Sequence, residues 1–310
     1  MNTGQCSTFK CAVLLAAYNG IQYIAEQVES IFQQINVDVM LFISVDLSTD
    51  GTLEWVTQLA KENSNVKLLP YGERFGGAAK NFFRLIKDVD LSSFDYVAFA
   101  DQDDRWNLDK LARAINVLKD SDYSAYSSNV IAFWPDGKQR LVVKSQPQTR
   151  YDFIFEGAGP GCTYVIDIQL MSKIKEHMLL HWDLLQEVWL HDWFCYAFAR
   201  TKNYKWFIDP VPSMDYRQHI NNQIGAKKGL KAYLSRFRYI RSGFWFKQIL
   251  LIARLVEFKS INFNELESFN RSKLLSLSFK ARQCRRRKSD QLFFFFICWL
   301  MILLGHAPKI

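Results

Sequence analysis

The sequence is poor in cysteine and lacks the patterns that would give its cysteines a structural role. The six cysteines are scattered, with no C-x-x-C pair among them. This spacing predicts neither a disulfide framework nor a zinc site. The N-terminal stretch MNTGQCSTFK has neither the basic start nor the apolar core of a secretory signal. We therefore expect the chain to function in a reducing, cytoplasmic compartment.

No apolar run is long enough to cross a membrane as a helix. The run from Leu292 to Leu304 contains 13 residues, whereas a helix needs about 20 to cross a bilayer. Four consecutive cations, RRRK at residues 285–288, precede this run. A polybasic segment beside a short apolar one favours interfacial or re-entrant insertion, with the cations against anionic headgroups. A helix buried in a core or in an oligomer interface is the alternative.

The charge is distributed unevenly along the chain. Residues 1–224 contain 21 Lys and Arg against 27 Asp and Glu, a net charge of −6, whereas residues 225–310 contain 18 against 4, a net charge of +14. We therefore expect one domain at residues 1–225 and a basic, aromatic, helical region at residues 226–310 whose end associates with a membrane. Such a region could also bind nucleic acid. That alternative leaves the acidic clusters of the first part unexplained, so we expect no nucleic-acid partner.

Strand-like apolar runs alternate with helical patterns in the first part of the chain. CAVLLAAY, VDVMLFISVD and YVAFA read as buried strands, while residues 21–34 and the segment LDKLARAINVLKD have helical spacing. This alternation predicts an α/β fold with a mostly parallel sheet flanked by helices. Ligands bind beyond the carboxyl ends of the strands in such sheets. Asn19, Asp46 and Asp101 follow or end predicted strands and should therefore lie at that edge.

Three aspartates stand within four positions of the stretch AFADQDDRWN. Asp101, Asp103 and Asp104 repel one another if they are partly buried and unpaired. A divalent cation would remove this conflict, and carboxylate oxygens suit Mn²⁺ or Mg²⁺, which commonly bridge protein carboxylates to substrate phosphates. The alternative is a solvated loop in which Asp104 only caps the helix that follows.

Six motifs stand in order along the chain: AAYNG, VDLSTDGT, FADQDDRWNLDKL, GAGPGCTYV, HDWFCYAFA and YRQHINNQIG. With them the chain resembles family 2 inverting glycosyltransferases, and within these the rhamnosyltransferase-like group, over residues 11–225. The resemblance implies a GT-A catalytic domain, a dTDP- or UDP-sugar donor and Mn²⁺ or Mg²⁺. Family members usually carry two aspartates followed by glycine where this chain has Val45, Asp46 and Leu47. Asp50 is then open to a role as a turn or cap residue.

The resemblance also assigns roles to individual residues. The donor would be bound by Ala17, Tyr18, Asn19, Asp46, Arg74, Asp101, Gln102 and Arg217. The metal ligands would be Asp103 and His219. The sugar or acceptor pocket would contain Asp104, Trp106, Gly159, Gly161 and His191. For Arg74, a plain surface arginine is the alternative.

Inverting transfer by direct displacement needs a carboxylate that removes a proton from the acceptor hydroxyl. The pair His191-Asp192 opens an otherwise aromatic and apolar stretch, and apolar surroundings raise the basicity of a carboxylate. By resemblance, Asp192 is the catalytic base. The alternative is an N-cap aspartate for the helix that begins here.

The resemblance further implies a role in bacterial surface glycan synthesis. The DQDDRW and HDWF variants favour dTDP-L-rhamnose as donor, with another UDP- or dTDP-sugar as the alternative. We expect a polyprenyl-diphosphate-linked or polysaccharide acceptor and a peripheral or monotopic position on the cytoplasmic face of the inner membrane. The tail could instead mediate homo-oligomerisation. A nucleotidyltransferase remains a second reading, although AAYNGIQYIAEQ contains no glycine-rich, basic phosphate loop. A membrane or nucleic-acid binding protein is the non-enzyme reading.

Overall fold

A computed structural model describes residues 8–219, 243–259 and 271–303. The strands are β1 (Phe9–Ala17), β2 (Val37–Val45), β3 (Val66–Leu68), β4 (Tyr96–Asp101), β5 (Arg105–Trp106), β6 (Tyr123–Ser128), β7 (Val130–Phe133), β8 (Gln139–Val142), β9 (Val165–Asp167), β10 (Lys205–Asp209) and β11 (Met214–Arg217). The helices are α1 (Ile24–Phe32), α2 (Thr52–Glu62), α3 (Ala78–Asp88), α4 (Lys110–Lys119), α5 (Asp152–Phe155), α6 (Ile168–Leu180), α7 (Trp182–Leu185), α8 (His191–Thr201), α9 (Phe244–Leu255), α10 (Arg271–Phe279), α11 (Ala281–Cys284) and α12 (Lys288–Leu303). A 3₁₀ turn spans Gly161–Thr163.

The central sheet has seven strands in the order β10-β6-β9-β4-β1-β2-β3. Its pairs are parallel except for β9, which runs antiparallel to both β4 and β6. The continuous apolar run of β1 is buried from Cys11 to Leu15, as a strand covered on both faces by helices requires. The predicted α/β fold with a mostly parallel sheet is therefore confirmed.

The register of the central sheet brings three strand ends together. Ala17 at the end of β1 lies opposite Val45 of β2, and Ala16 lies opposite Asp101 of β4. Because these strands are parallel, the residues that follow them share one edge of the sheet. Asn19, Asp46 and Asp101 lie at this edge, as their positions after predicted strands indicated.

A second, smaller sheet contains strands in the order β5-β11-β7-β8. The acidic turn, residues 101–104, leads directly into β5. This strand pairs antiparallel with β11, which follows more than a hundred residues later in the chain. This pairing brings the segment of Arg217 to His219 next to the acidic turn. The sequence did not predict this pairing, because strands so far apart leave no local pattern.

The C-terminal helices pack against the body of the protein. Ile249 and Leu250 of α9, together with Phe294 and Ile297 of α12, belong to the same buried cluster as Phe155. The predicted helical character is thus confirmed for residues 244–255, 271–279, 281–284 and 288–303. The expected boundary at residues 225/226 and the last residue of the apolar run, Leu304, lie outside the described residues. Within the described ranges, no helix has both the length and the apolar character to cross a bilayer.

Candidate active site

The acidic turn connects β4 to β5. Asp104 is fully buried, and its Oδ1 accepts a hydrogen bond from the backbone N–H of Arg217 at 2.9 Å. Its Oδ2 is buried without a hydrogen-bond partner in the described structure. Asp109, not Asp104, stands at the N-cap position of α4. The alternative reading of Asp104 as a helix cap is therefore wrong, and its carboxylate instead faces the site.

The acidic turn concentrates negative charge in a dry environment. Ligand atoms of Asp101, Asp104 and Cys162 all lie within 4.8 Å of one another. Burial, followed by the charges of Asp103 and Asp192, raises the pKa of Asp101 to about 7. Burial and the neighbouring carboxylates also raise the pKa of Asp104 well above its usual range. Like charges held this close favour uptake of a proton or a cation.

Asp103 and His219 meet at the rim of the acidic turn. Nε2 of His219 lies 2.6 Å from Oδ2 of Asp103. The imidazole stacks on the ring of Tyr23, with a distance of 5.3 Å between ring centroids. The structure thus brings together the two residues that the resemblance assigned to a metal. Tyr23, which fixes the plane of the imidazole, carried no signal in the sequence.

Arg217 lies beside the same turn. Its Nε donates to the backbone oxygen of Asp103 at 2.7 Å, and its Nη2 pairs with the carboxylate of Glu26. Its guanidinium carbon lies 4.7 Å from the ring centroid of Tyr23 and 4.6 Å from that of Phe133. Arg217, which was predicted to bind the donor, therefore lies near the acidic turn. Its guanidinium group packs against aromatic rings, as such groups often do.

Gln102 ties the ends of β4 and β1 together. Its Oε1 accepts from the backbone N–H of Tyr18 at 2.7 Å, and its Nε2 donates to the backbone oxygen of Tyr18 at 2.8 Å. A Cβ at Gly20 would lie only 2.1 Å from the Gln102 Oε1. Asn19 adopts φ 45°, a left-handed conformation that asparagine tolerates, and its Oδ1 accepts from Thr49 N–H at 2.8 Å. The ring of Tyr18 remains exposed beside the strand ends.

Asp46 holds the loop that carries Arg74. The Asp46 carboxylate is buried and accepts from the backbone N–H groups of Phe75 and Gly76, each at 3.0 Å. Arg74 itself is exposed. Asp50 accepts from the N–H of Thr52, the first residue of α2, and from the N–H of Ile21. Asp50 is thus a residue of the turn before α2, as one of the two readings of the sequence stated.

Asp192 lies in the first turn of α8, next to the 3₁₀ turn that begins at Gly161. Leu190 holds the N-cap position of α8, so Asp192 is not the N-cap. Its Oδ1 accepts from the backbone N–H of Trp193 at 2.7 Å. Burial raises its pKa to about 6, against the smaller lowering effects of Trp193, Lys144 and the Gly161 backbone. A Cβ at Gly161 would lie 3.1 Å from the Asp192 Cβ, so the glycine permits the turn to pack on this carboxylate.

His191 is packed in the core behind Asp192. Its ring stacks on Phe82 with 3.8 Å between centroids and meets Phe99 edge-on. Burial lowers its pKa to about 3, so the imidazole is neutral at physiological pH. Its Nε2 would lie 2.8 Å from a Cβ at Gly161. Of the residues assigned to the acceptor pocket, Gly161 lies against both His191 and Asp192, while Gly159 lies next to the side chain of Lys144.

Trp106 is buried beneath a lysine that sequence reasoning missed. Nζ of Lys110 lies 3.2 Å from the Trp106 ring centroid and donates to the backbone oxygen of Cys162 at 2.7 Å. Lys110 is fully buried, and burial lowers its pKa to about 7. It links the acidic turn region to the 3₁₀ turn. A lysine in an amphipathic helical pattern is solvated by default, so the sequence held no signal for this contact.

Comparison with known proteins now identifies the family. Glycosyl transferase family 2 matches residues 12–176. The chain is 44% identical over 293 residues to the dTDP-rhamnosyl transferase RfbG of Shigella flexneri, a match that covers 94% of this chain and 99% of RfbG. It is 25% identical over 167 residues to the UDP-Glc:alpha-D-GlcNAc-diphosphoundecaprenol beta-1,3-glucosyltransferase WfgD of Escherichia coli, covering 53% of this chain and 62% of WfgD.

A solved structure supports the same fold. S. aureus TarS 1–349 in complex with UDP aligns with a TM-score of 0.55 at 15% identity, covering 96% of this chain and 92% of TarS. At this level of identity the likeness concerns the fold, and it confirms the expected GT-A-like architecture. The chain therefore belongs to glycosyl transferase family 2, and the expected class of enzyme, an inverting glycosyltransferase, is confirmed.

Proposed function

We propose that the protein transfers L-rhamnose from dTDP-L-rhamnose to a glycan acceptor in bacterial surface polysaccharide synthesis, with Asp192 as general base. The observation that carries this proposal is the 44% identity to the dTDP-rhamnosyl transferase RfbG along nearly the full length of both chains. WfgD, which uses UDP-Glc, and the UDP bound in the TarS complex support a nucleotide-sugar donor more broadly. A UDP-sugar is accordingly the second candidate for the donor.

The acidic turn fits a divalent cation. Asp101 and Asp104 offer carboxylate oxygens within 4.8 Å of each other and of the Cys162 Sγ, and the buried Oδ2 of Asp104 lacks a hydrogen-bond partner in the described residues. Burial and the two carboxylates raise the pKa of the Cys162 thiol, which keeps it protonated. Asp103 and His219 stand at the rim and would be further ligands. Mn²⁺ and Mg²⁺ prefer hard oxygen ligands to thiolates. When bound, the ion would offset the negative charge of the donor diphosphate.

Asp192 would remove the proton of the acceptor hydroxyl. As that proton moves to the carboxylate, the hydroxyl oxygen forms a bond to the anomeric carbon of the sugar. The bond between this carbon and the diphosphate oxygen breaks, and its electron pair leaves with the nucleoside diphosphate. With a pKa of about 6, Asp192 is ionised at pH 7 yet more basic than an ordinary carboxylate. His191, whose pKa burial lowers to about 3, is a weaker base than Asp192 and does not compete for the proton.

The outer face of α12 would lie on a membrane that carries a lipid-linked acceptor. Leu292, Phe296, Trp299 and Leu303 are exposed and recur at spacings of four and three residues along one side of α12. Exposed cations at residues 287 and 288 adjoin this stripe. An apolar stripe with flanking cations complements an anionic lipid surface. We propose the cytoplasmic face of the inner membrane as this surface. As the acceptor we propose a polyprenyl-diphosphate-linked glycan, like the GlcNAc-diphosphoundecaprenol on which WfgD acts.

A donor screen tests this function. The purified chain would be incubated with Mn²⁺ or Mg²⁺, a lipid-linked oligosaccharide fraction and dTDP-L-rhamnose, UDP-glucose or UDP-GlcNAc in turn. We expect acceptor-dependent release of dTDP from dTDP-L-rhamnose. Release of UDP alone would indicate that the donor is a UDP-sugar and not dTDP-L-rhamnose. Pyrophosphate release from dTTP and a sugar 1-phosphate would instead indicate a nucleotidyltransferase.

A further inference from the structure

The basic run that precedes α12 is divided between the protein interior and the surface. Arg286 is only 5% exposed, and Arg285 is half-buried, whereas the next two cations are exposed. Cations that bind lipid headgroups must reach solvent. The expectation that all four cations face headgroups is therefore wrong for the first two, because they are turned into the protein.

Arg286 contacts the segment that leads into the 3₁₀ turn at Gly161. Its backbone N–H donates to Oε1 of Glu156 at 2.8 Å, and its Nη2 donates to the backbone oxygen of Gly157 at 2.7 Å. Its Nε lies 3.6 Å from the carboxylates of both Asp152 and Glu156. These contacts join parts of the chain that are about 130 residues apart in sequence. Arg286 thus connects the C-terminal helices to the Glu156–Gly161 loop through hydrogen bonds and ion pairs.

Arg285 makes a second set of contacts with the same segment. Its Nη1 donates to the backbone oxygen of Phe155 at 2.8 Å, and its Nη2 lies 3.5 Å from Oε2 of Glu156. Glu156 therefore receives both arginines, which lower its pKa despite burial. Removing one partner of a buried charged group leaves the other uncompensated, which is strongly unfavourable.

The Glu156–Gly161 loop leads directly to the proposed catalytic base. Gly161 at its end packs on Asp192, where an added Cβ would lie 3.1 Å from the Asp192 Cβ. On the other side, Asp152 accepts from the hydroxyl of Tyr196 on α8 at 2.7 Å. The two arginines thus contact the loop directly, and Arg286 is connected through Asp152 to the helix that carries Asp192.

We propose that Arg286, assisted by Arg285, is a positioning residue for sugar transfer. It holds the Glu156–Gly161 loop against α8 so that an acceptor hydroxyl reaches Asp192 in the reactive geometry. This proposal rests on the proposed function, in which Asp192 is the base. It also means that α12, which begins two residues after Arg286, is fastened to the acceptor side of the site.

The test compares Arg286→Met and Arg286→Lys with Arg282→Met, an exposed cation on α11. Steady-state kinetics with varied acceptor, dissociation constants for dTDP and melting temperatures would be measured for each full-length variant. We expect Arg286→Met to lower kcat/KM for the acceptor about 10- to 100-fold, since small misplacements cost this much. Binding of dTDP should change less than about twofold, which is under 0.5 kcal/mol. Arg286→Lys should recover only part of the loss, because an ammonium cannot reproduce the guanidinium fork.

Glu156→Gln provides a second route if Arg286→Met does not fold. It keeps the shape of the side chain but removes the charge that both arginines face, and we expect the same selective loss for the acceptor, smaller in size. Wild-type acceptor kinetics in Arg286→Met, or in Glu156→Gln where the first does not fold, would overturn the positioning role. Equal loss of dTDP binding and acceptor kinetics would overturn it too. The failure of the proposed function is distinct, since it would appear as full turnover in Asp192→Asn.

Discussion

Nε2 of His219 lies 2.6 Å from Oδ2 of Asp103, although the two residues are 116 positions apart. The pairing of β5 with β11 makes this contact, because it places the end of β11 against the acidic turn. If both residues bind the metal, His219→Ala should raise the Mn²⁺ concentration for half-maximal activity by at least about 10- to 100-fold, since loss of a residue that only supports a metal ligand already costs this much. Titration of activity with Mn²⁺ checks this. Asp90→Asn, an exposed carboxylate outside the site, is the control and should titrate like the wild type.

Removal of the proposed base should stop transfer without releasing the nucleotide. Asp192→Asn keeps the size of the side chain but cannot accept the proton, so we expect turnover to fall about 10²- to 10⁴-fold. The dissociation constant of dTDP, measured by calorimetry, should stay within about twofold. A variant that turns over at the wild-type rate would exclude Asp192 as base.

The pH profile should report the raised pKa of Asp192. Because the base must be ionised, kcat should fall as the pH drops through about 6, by about tenfold per unit below it. An aspartate with its usual pKa of 3.8 would keep full activity down to about pH 5. The profile of the residual activity of Asp192→Asn should lack this step. His191, with a pKa of about 3, adds no step in this range. Asp101, with a pKa of about 7, adds a separate step that Asp192→Asn should retain.

The close packing of Gly161 can be tested with a single methyl group. In Gly161→Ala the new Cβ would meet His191 Nε2 at 2.8 Å and the Asp192 Cβ at 3.1 Å. Overpacking of this kind costs about 1–3 kcal/mol of unfolding free energy and should displace Asp192, so transfer should fall as well. Gly157→Ala is the matched control, since its Cβ would meet nothing closer than 3.6 Å. Equal stability and transfer in the two variants would contradict this account.

Acidic substitutions on the outer face of α12 should abolish lipid binding. Leu292→Glu and Phe296→Glu place charge on side chains that are each 60% exposed, so the fold should tolerate them. We expect the double variant to stay in the supernatant with anionic vesicles that sediment the wild type. Leu141→Glu, exposed on β8, is the control for added charge. The stripe would instead be a dimer interface if the wild type does not bind vesicles but forms dimers, and if the same substitutions dissociate these dimers.

Local patterns in the sequence were sufficient for the fold class and for the first strands and helices. The run CAVLLAAY and the helical spacing after it follow from side-chain burial within a few residues, so β1 and α1 lie close to where the pattern placed them. Parallel strands share their carboxyl ends, which placed Asn19, Asp46 and Asp101 on one edge. The antiparallel β9 and the second sheet were not predicted, because strand pairing over a long separation leaves no local signal.

The site divides in the same way. The sequence alone determined that a run of aspartates ends a buried strand and that Asp192 opens an apolar helix, because both are properties of adjacent residues. Only the tertiary structure decided that Lys110 is buried at Cys162 and that Arg286 reaches Glu156. A charged side chain in a sequence reads as solvated by default. Whether it is instead buried depends on partners supplied by distant segments, and these become neighbours only when the chain folds.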